Sequence, residues 1–104
     1  MKPDAIVKVY FLTSEDGGRK HAIMLSGKHY GCVVQINGDG YDCRVLQRDG
    51  ALELGKTYEV PIKFLSPKVA RPRFHAGNEI TLWEGRVIAV GIVVEIIGST
   101  DERA

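Results

Sequence analysis

The stretch from Tyr30 to Leu46 reads Tyr-Gly-Cys-Val-Val-Gln-Ile-Asn-Gly-Asp-Gly-Tyr-Asp-Cys-Arg-Val-Leu. Two β-rich runs, Tyr30–Ile36 and Tyr41–Leu46, flank Asn37-Gly38-Asp39-Gly40. Asn-Gly between alternating apolar residues is the strongest short-range hairpin signal, because both residues tolerate the positive φ that a tight hairpin turn demands. Working outward, Ala5–Thr13 reads as a strand ending in the turn Ser14–Gly18, and Ala22–Leu25 as a short second strand ended by Ser26-Gly27. On the far side, Gln47–Gly55 reads as a connection, and Tyr58–Leu65 as a strand whose Pro61 implies an edge position or a bulge. Lys68–Ala76 is expected to be extended, with Pro67 and Pro72 opposing helix. Glu79–Trp83 and Arg86–Ile97 complete the set, separated by the turn Glu84-Gly85.

Composition agrees with a β domain. Valine and isoleucine number 20 (11 Val and 9 Ile), against 7 leucines and 7 alanines, in a chain of 104 residues. Branched Cβ atoms suit a pleated surface and lose rotamer freedom in a helix. Gly/Pro punctuation at regular spacing points to a closed barrel or sandwich, and no window sustains helical apolar periodicity. We therefore expect an all-β fold: one domain, barrel or sandwich, over residues 1–98, with 99–104 as a C-terminal tail. The net charge of +1 argues against a polyanion-coating protein. The N-terminus lacks the apolar core of a signal peptide, and the apolar run Val87–Ile97 is too short to span ~30 Å of hydrocarbon. A cytoplasmic protein with no membrane contact is the expectation.

The last strand is apolar on both parities. Ile88, Val90, Ile92, Val94 and Ile96 lie on one side, and Val87, Ala89, Val93 and Ile97 on the other. A barrel wall with one wet face should alternate instead. The outer face is therefore expected to be covered, by the chain's own segments or by a partner, and Val87, Ala89, Val93 and Ile97 are the candidate protein-interface residues.

Charge is unevenly placed. Residues 56–75 carry five bases (Lys56, Lys63, Lys68, Arg71, Arg73) against Glu59, a net of +4, while residues 76–104 carry two bases against five acids, a net of −3. In Arg71-Pro72-Arg73-Phe74-His75 guanidinium groups neighbour an aromatic ring, a pattern that can hold phosphates while the ring stacks or packs. The alternative is a solvated segment with Phe74 in the core.

Catalytic signals are thin. Gly50-Ala51-Leu52-Glu53-Leu54-Gly55-Lys56-Thr57 satisfies the phosphate-loop pattern, but that chemistry needs a strand before the loop and a helix after it. Here Thr57 opens a β-branched, proline-containing run, so the match is read as a decoy with no nucleotide bound. His21, His29 and His75 show no metal-ligand spacing. The remaining catalytic combination is a barrel-mouth site of Cys32, His29 and Asp42. Cys32 and Cys43 could face each other and bond, but buried free thiols are expected. The sequence reads as non-enzymatic, with no cofactor and no metal.

The order of the pieces resembles the C-terminal β-barrel, the third domain, of elongation factor Tu. Val9–His21, with Gly17-Gly18-Arg19-Lys20-His21, is similar to that domain's opening strand and Gly-Gly-Arg turn; Leu25-Ser26-Gly27 fits the end of its second strand. Leu54-Gly55-Lys56-Thr57-Tyr58-Glu59-Val60 occupies the place of its Pro-Gly-Asp turn and following strand, and Glu84–Val93 is similar to its closing strand. The resemblance implies a closed Greek-key barrel of six or seven antiparallel strands. In that family the barrel contacts the T stem of aminoacyl-tRNA, a neighbouring barrel, the GTPase domain and the exchange factor. No GTPase domain fits within 104 residues, and no Asn-Lys-x-Asp motif occurs. The family's Ser-Gly-Tyr-Arg-Pro-Gln-Phe loop reads Ser26-Gly27-Lys28-His29-Tyr30-Gly31-Cys32 here, without its amide. Gly85 and Arg86 match the other tRNA-side turn. The expected function is a stand-alone, non-catalytic module that binds a protein partner or self-associates. The alternative is RNA binding through Lys28, Lys68, Arg71, Arg73, Gly85 and Arg86.

Overall fold

A computed structural model describes residues 2–27, 29–46 and 49–97. Lys28 and the tail at 99–104, both named above, lie outside the described residues. The Asn37-Gly38 hairpin forms as a two-residue turn, with Asn37 at φ 50° and Gly38 at φ 85°, joining β3 (Tyr30–Ile36) to β4 (Asp39–Val45). Around it stand β1 (Ala5–Phe11), β6 (Thr57–Phe64), β7 (Glu79–Trp83) and β8 (Val87–Ile96). All neighbours are antiparallel, and the six close in the order β1-β6-β4-β3-β7-β8. Within the barrel β3, β4 and β6 are successive neighbours, β1 returns beside β6 and β7 beside β3, which is Greek-key connectivity.

A separate two-stranded sheet pairs β2 (Ile23–Ser26) with β5 (Asp49–Leu52), so the expected connection Gln47–Gly55 contains a strand. Its Ile23, Leu25 and Leu52 are buried in the common core. The segment Gly50–Thr57 is therefore strand, turn and strand, with Thr57 opening β6.

Proline explains two differences from expectation. Residues 67–73 are not extended: Pro67 starts the single helical turn α1 (Pro67–Ala70), and a 3-10 turn follows at Arg71–Arg73. A proline at the first helical position has no N–H to lose and its φ suits the turn, so it starts this helix rather than preventing it. The turn buries Ala70 and then Phe74, whose ring stacks on Phe64 at 5.0 Å and meets Tyr41 edge-on at 5.5 Å. Pro61, in turn, lies in a strand with neighbours on both sides. It falls one residue beyond the last β4 pair, Val45↔Ile62, and its carbonyl accepts from the Leu46 N–H at 2.9 Å. The edge that proline requires exists only locally.

In β8 small residues face the interior because their neighbours are large. Ala89 sits between Phe11 and Leu82, and Gly91 between Val9 and Ile80. A Cβ on Gly91 would lie 1.9 Å from the Lys8 carbonyl oxygen, so only glycine lets β1 and β8 approach this closely. Register shifts at Leu82/Trp83 and Ile6/Val7 mark bulges in the pairing of β8. Bulges break strict alternation, and Ile88 and Ala89 are consecutively buried. No helix among the described residues is long and apolar enough to cross a membrane.

Candidate functional site

The expected interface residues do not share an outer face. Ala89 and Val93 are buried in the core, and Val87 and Ile97 are half-buried. Exposed instead are two residues of the other parity, Val90 at 40% and Ile92 at 41%, whereas Ile88 of that parity is buried. Volume decides this at Ala89 and Gly91, where the large residues of β1 and β7 leave room only for small ones, while Ile88 is buried next to the bulge at Leu82/Trp83.

The expected basic patch is largely neutralised. Arg71 Nε donates to Asp4 Oδ1 at 2.9 Å, Lys63 Nζ to Asp4 Oδ2 at 3.2 Å, and Arg73 Nη2 to Asp39 Oδ2 at 2.9 Å. Lys56 pairs with Glu53 at 3.0 Å. Lys68 is exposed. Nor do Cys32, His29 and Asp42 converge. Cys32 pairs with Cys43, its side chain buried inside, whereas Asp42 pairs with Val33 on the outer parity and is exposed. The two cysteines are free and buried, with sulfurs 3.8 Å apart. The thiol–thiol hydrogen bond and burial push the Cys43 thiol well above its ordinary pKa. Among the described residues no group of three or more His, Cys, Asp or Glu could hold a metal.

Two other surfaces emerge around the Glu84-Gly85 turn. The first is an open groove of about 460 Å³, lined by Gly31, Val33, Asp42, Arg44, Leu65 and Trp83 among others. Gly31 opens it: this residue stands opposite Arg44, and a Cβ there would find its nearest atom, the Cys43 carbonyl oxygen, only at 4.0 Å. Trp83 points outward opposite Val33 and is 40% exposed, and Leu65 is 52% exposed. An indole at the rim of a groove is the kind of anchor that protein interfaces use, and the leucine adds apolar surface beside it.

The second is a smaller, basic hollow of about 220 Å³ lined by Arg19, Lys20, His21, Glu84 and Arg86. Arg19 Nη1 donates to Glu84 Oε1 at 2.5 Å, and the Tyr30 hydroxyl donates to the same oxygen. Burial, reinforced by this bond and by the Glu84 charge, raises the Tyr30 phenol above its ordinary pKa. Arg86 Nη1 reaches the Gly18 carbonyl at 3.4 Å. Gly85, at φ 73°, makes the turn that carries Arg86 to this place. Three permanent cations stand here against one carboxylate.

Sequence reading missed Trp83 and Leu65, although the signal for Trp83 was present. In Glu79-Ile80-Thr81-Leu82-Trp83 the alternation places Trp83 with Glu79 and Thr81 on the wet face. Arg19 and Arg86 lie far apart in sequence, and only barrel closure joins them. The sequence matches no protein-family model and no curated protein.

Proposed function

We propose that this barrel is a non-catalytic binding module whose ligand is a segment of another protein seated in the Trp83–Leu65 groove. The observation that carries this is the pair of exposed apolar side chains on the rim of a groove opened by Gly31. The exposed part of the Trp83 indole is apolar surface left in water in the monomer, whereas at an interface tryptophan is among the residues that carry most of the binding energy. The resemblance to the third barrel of elongation factor Tu, which works by packing against other components, supports the same class of function. The test is affinity capture from lysate after ribonuclease treatment, run in parallel with native protein and with Trp83→Ala. A protein retained by the native chain and lost by the variant is expected. Identical retention by both, or none by either, would overturn the reading.

The basic hollow favours RNA binding as a second reading. Arg19, Lys20, His21 and Arg86 can meet a phosphate backbone at the turn where the resemblance implies tRNA contact. This set differs from the expected one: Arg71 and Arg73 are held by Asp4 and Asp39, and Arg19 is itself held by Glu84, so Lys20 and Arg86 are its cations outside the carboxylate pairs found among the described residues. Lys20→Glu with Arg86→Glu should weaken RNA binding and flatten its dependence on salt, because fewer counterions are released. Binding that is unchanged in strength and salt slope would remove this reading.

A further inference from the structure

We infer that the outer wall of β8 is the contact face of a two-fold dimer of this chain. Val90 and Ile92 are neighbours on the outward parity, each about two-fifths exposed. They border an open groove of about 660 Å³ that also touches Gln35, Glu79 and Thr81. These aliphatic side chains lie on the outer sheet face beside the Asn37-Gly38 turn, which lines the same groove, and provide a surface that removal from water would stabilise.

The residues on either side identify the occupant. Register places Glu79 of β7 and Lys8 of β1 opposite Ile92, one on each flank. In the next outward row Thr81 and Tyr10 flank Val90 in the same way. Strands are spaced ~4.8 Å apart, so the backbones that carry Glu79 and Lys8 stand at similar distances on opposite sides of the aliphatic pair. Glu79 and Lys8 are both exposed, and neither takes part in the ion pairs found among the described residues.

A two-fold axis lying along β8, just above the wall, stacks β8 on its copy and exchanges β7 with β1. Ile92 then meets Ile92 and Val90 meets Val90. Glu79 of each copy faces Lys8 of the other, twice over, and the Thr81 hydroxyl faces that of Tyr10. Self-complementarity of this kind is what an isologous interface requires. An axis running across the strands would instead stack β7 on β7, bringing like charges to the same flank. Aligned strands in facing sheets are also an ordinary packing geometry. Glu59 stands directly opposite Lys8 on the outer face of β6, two strands round the closed barrel from β8, and no ion pair joins the two among the described residues. The aliphatic pair supplies the attraction and the two charges fix the register.

The contact uses different residues from the Trp83 groove, so each can fail alone. The experiment is sedimentation or light scattering of the full chain across a concentration series, with circular dichroism to confirm folding. The native chain is expected to dimerise, and Ile92→Asp to remain monomeric. Lys8→Glu and Glu79→Lys should each weaken the dimer by roughly tenfold or more, and the two together should restore it. Either a native chain that stays monomeric up to sub-millimolar concentration, or a double reversal no better than the single ones, would overturn the dimer. Loss of protein capture by Trp83→Ala in such a monomer would leave the groove reading intact.

Discussion

Asp4 and Arg71 are joined by an ion pair, its carboxylate fully buried and its guanidinium partly exposed, that ties the entry to β1 to the 3-10 turn after α1. Arg71 donates to Asp4 Oδ1 through Nε at 2.9 Å and through Nη2. The other oxygen accepts from the Phe64 N–H at 2.8 Å and from Lys63 Nζ at 3.2 Å. Asp4 is fully buried, and its own N–H donates to the Ile62 carbonyl at 2.8 Å. A carboxylate so enclosed is tolerated because every lone pair meets a donor.

Asp4→Ala removes the carboxylate that Arg71, Lys63 and the Phe64 N–H share. Breaking a buried pair typically costs ~3–5 kcal/mol, and the partial exposure of Arg71 and Lys63 places this case near the lower end, at ~3 kcal/mol. Arg71→Ala should cost less, since Lys63 and the Phe64 N–H still hold the carboxylate. Urea denaturation midpoints check the order; equal midpoints for Asp4→Ala and the native chain would contradict it.

Gly91 and Gly31 make a matched pair. An alanine Cβ at Gly91 would lie 1.9 Å from the Lys8 carbonyl oxygen and 2.8 Å from the Val9 Cα, both backbone atoms of β1. Relief requires β1 and β8 to separate, so Gly91→Ala should lower the thermal midpoint sharply or prevent folding. At Gly31 the added methyl enters open space. Gly31→Ala should therefore stay within ~0.5 kcal/mol of the native stability, as exposed substitutions usually do. Gly31→Val, which fills the groove floor, should fold normally and weaken partner binding.

These two glycines show where the sequence is readable and where it is not. The hairpin at Asn37-Gly38, the strands around it and the all-β class follow from local chemistry, because turn geometry and β-branching act over a few residues. Which parity of β8 faces inward does not. It depends on Phe11, Leu82, Val9 and Ile80, which reach β8 only when the barrel closes. The basic segment misled for the same reason. Its charges are countable in the sequence, but their acceptors are Asp4, Asp39 and Glu53, and the first two are distant along the chain. Long-range pairing is also what brings Arg19 to Glu84. Trp83 was legible and overlooked, since period-two alternation alone puts it outside.

Thiol chemistry should report the same interior. Cys32 and Cys43 face each other across the hairpin with both sulfurs enclosed. A thiol held protonated and buried is a poor nucleophile, because the thiolate is the reactive form. In the native state Cys43 should alkylate far more slowly than a free thiol at neutral pH, and its labelling should rise only with unfolding. Single-cysteine variants, Cys32→Ala and Cys43→Ala, separate the two sites by mass spectrometry. Labelling of Cys43 at the rate of a small-molecule thiol would contradict its enclosure.

Alkaline pH should destabilise the barrel in two stages. The Cys43 thiol and the Tyr30 phenol both have folded pKa values raised above their unfolded ones. For a group shifted upward the folded state prefers the protonated form. Its contribution is complete below the unfolded pKa and declines as pH rises above it, because only the unfolded chain then gains by ionising. Unfolded cysteine ionises near ~8.5 and unfolded tyrosine near ~10, so stability should begin to fall above about pH 8.5 and fall more steeply above about pH 10. Cys43→Ala should remove the first part of the decline. Tyr30→Phe gives up the bond to Glu84 at every pH and should flatten the second part. Denaturant midpoints measured from neutral to alkaline pH decide it. A Tyr30→Phe variant with the same steep loss above about pH 10 would place the responsible group elsewhere, since Tyr30 is the phenol whose proton Glu84 holds.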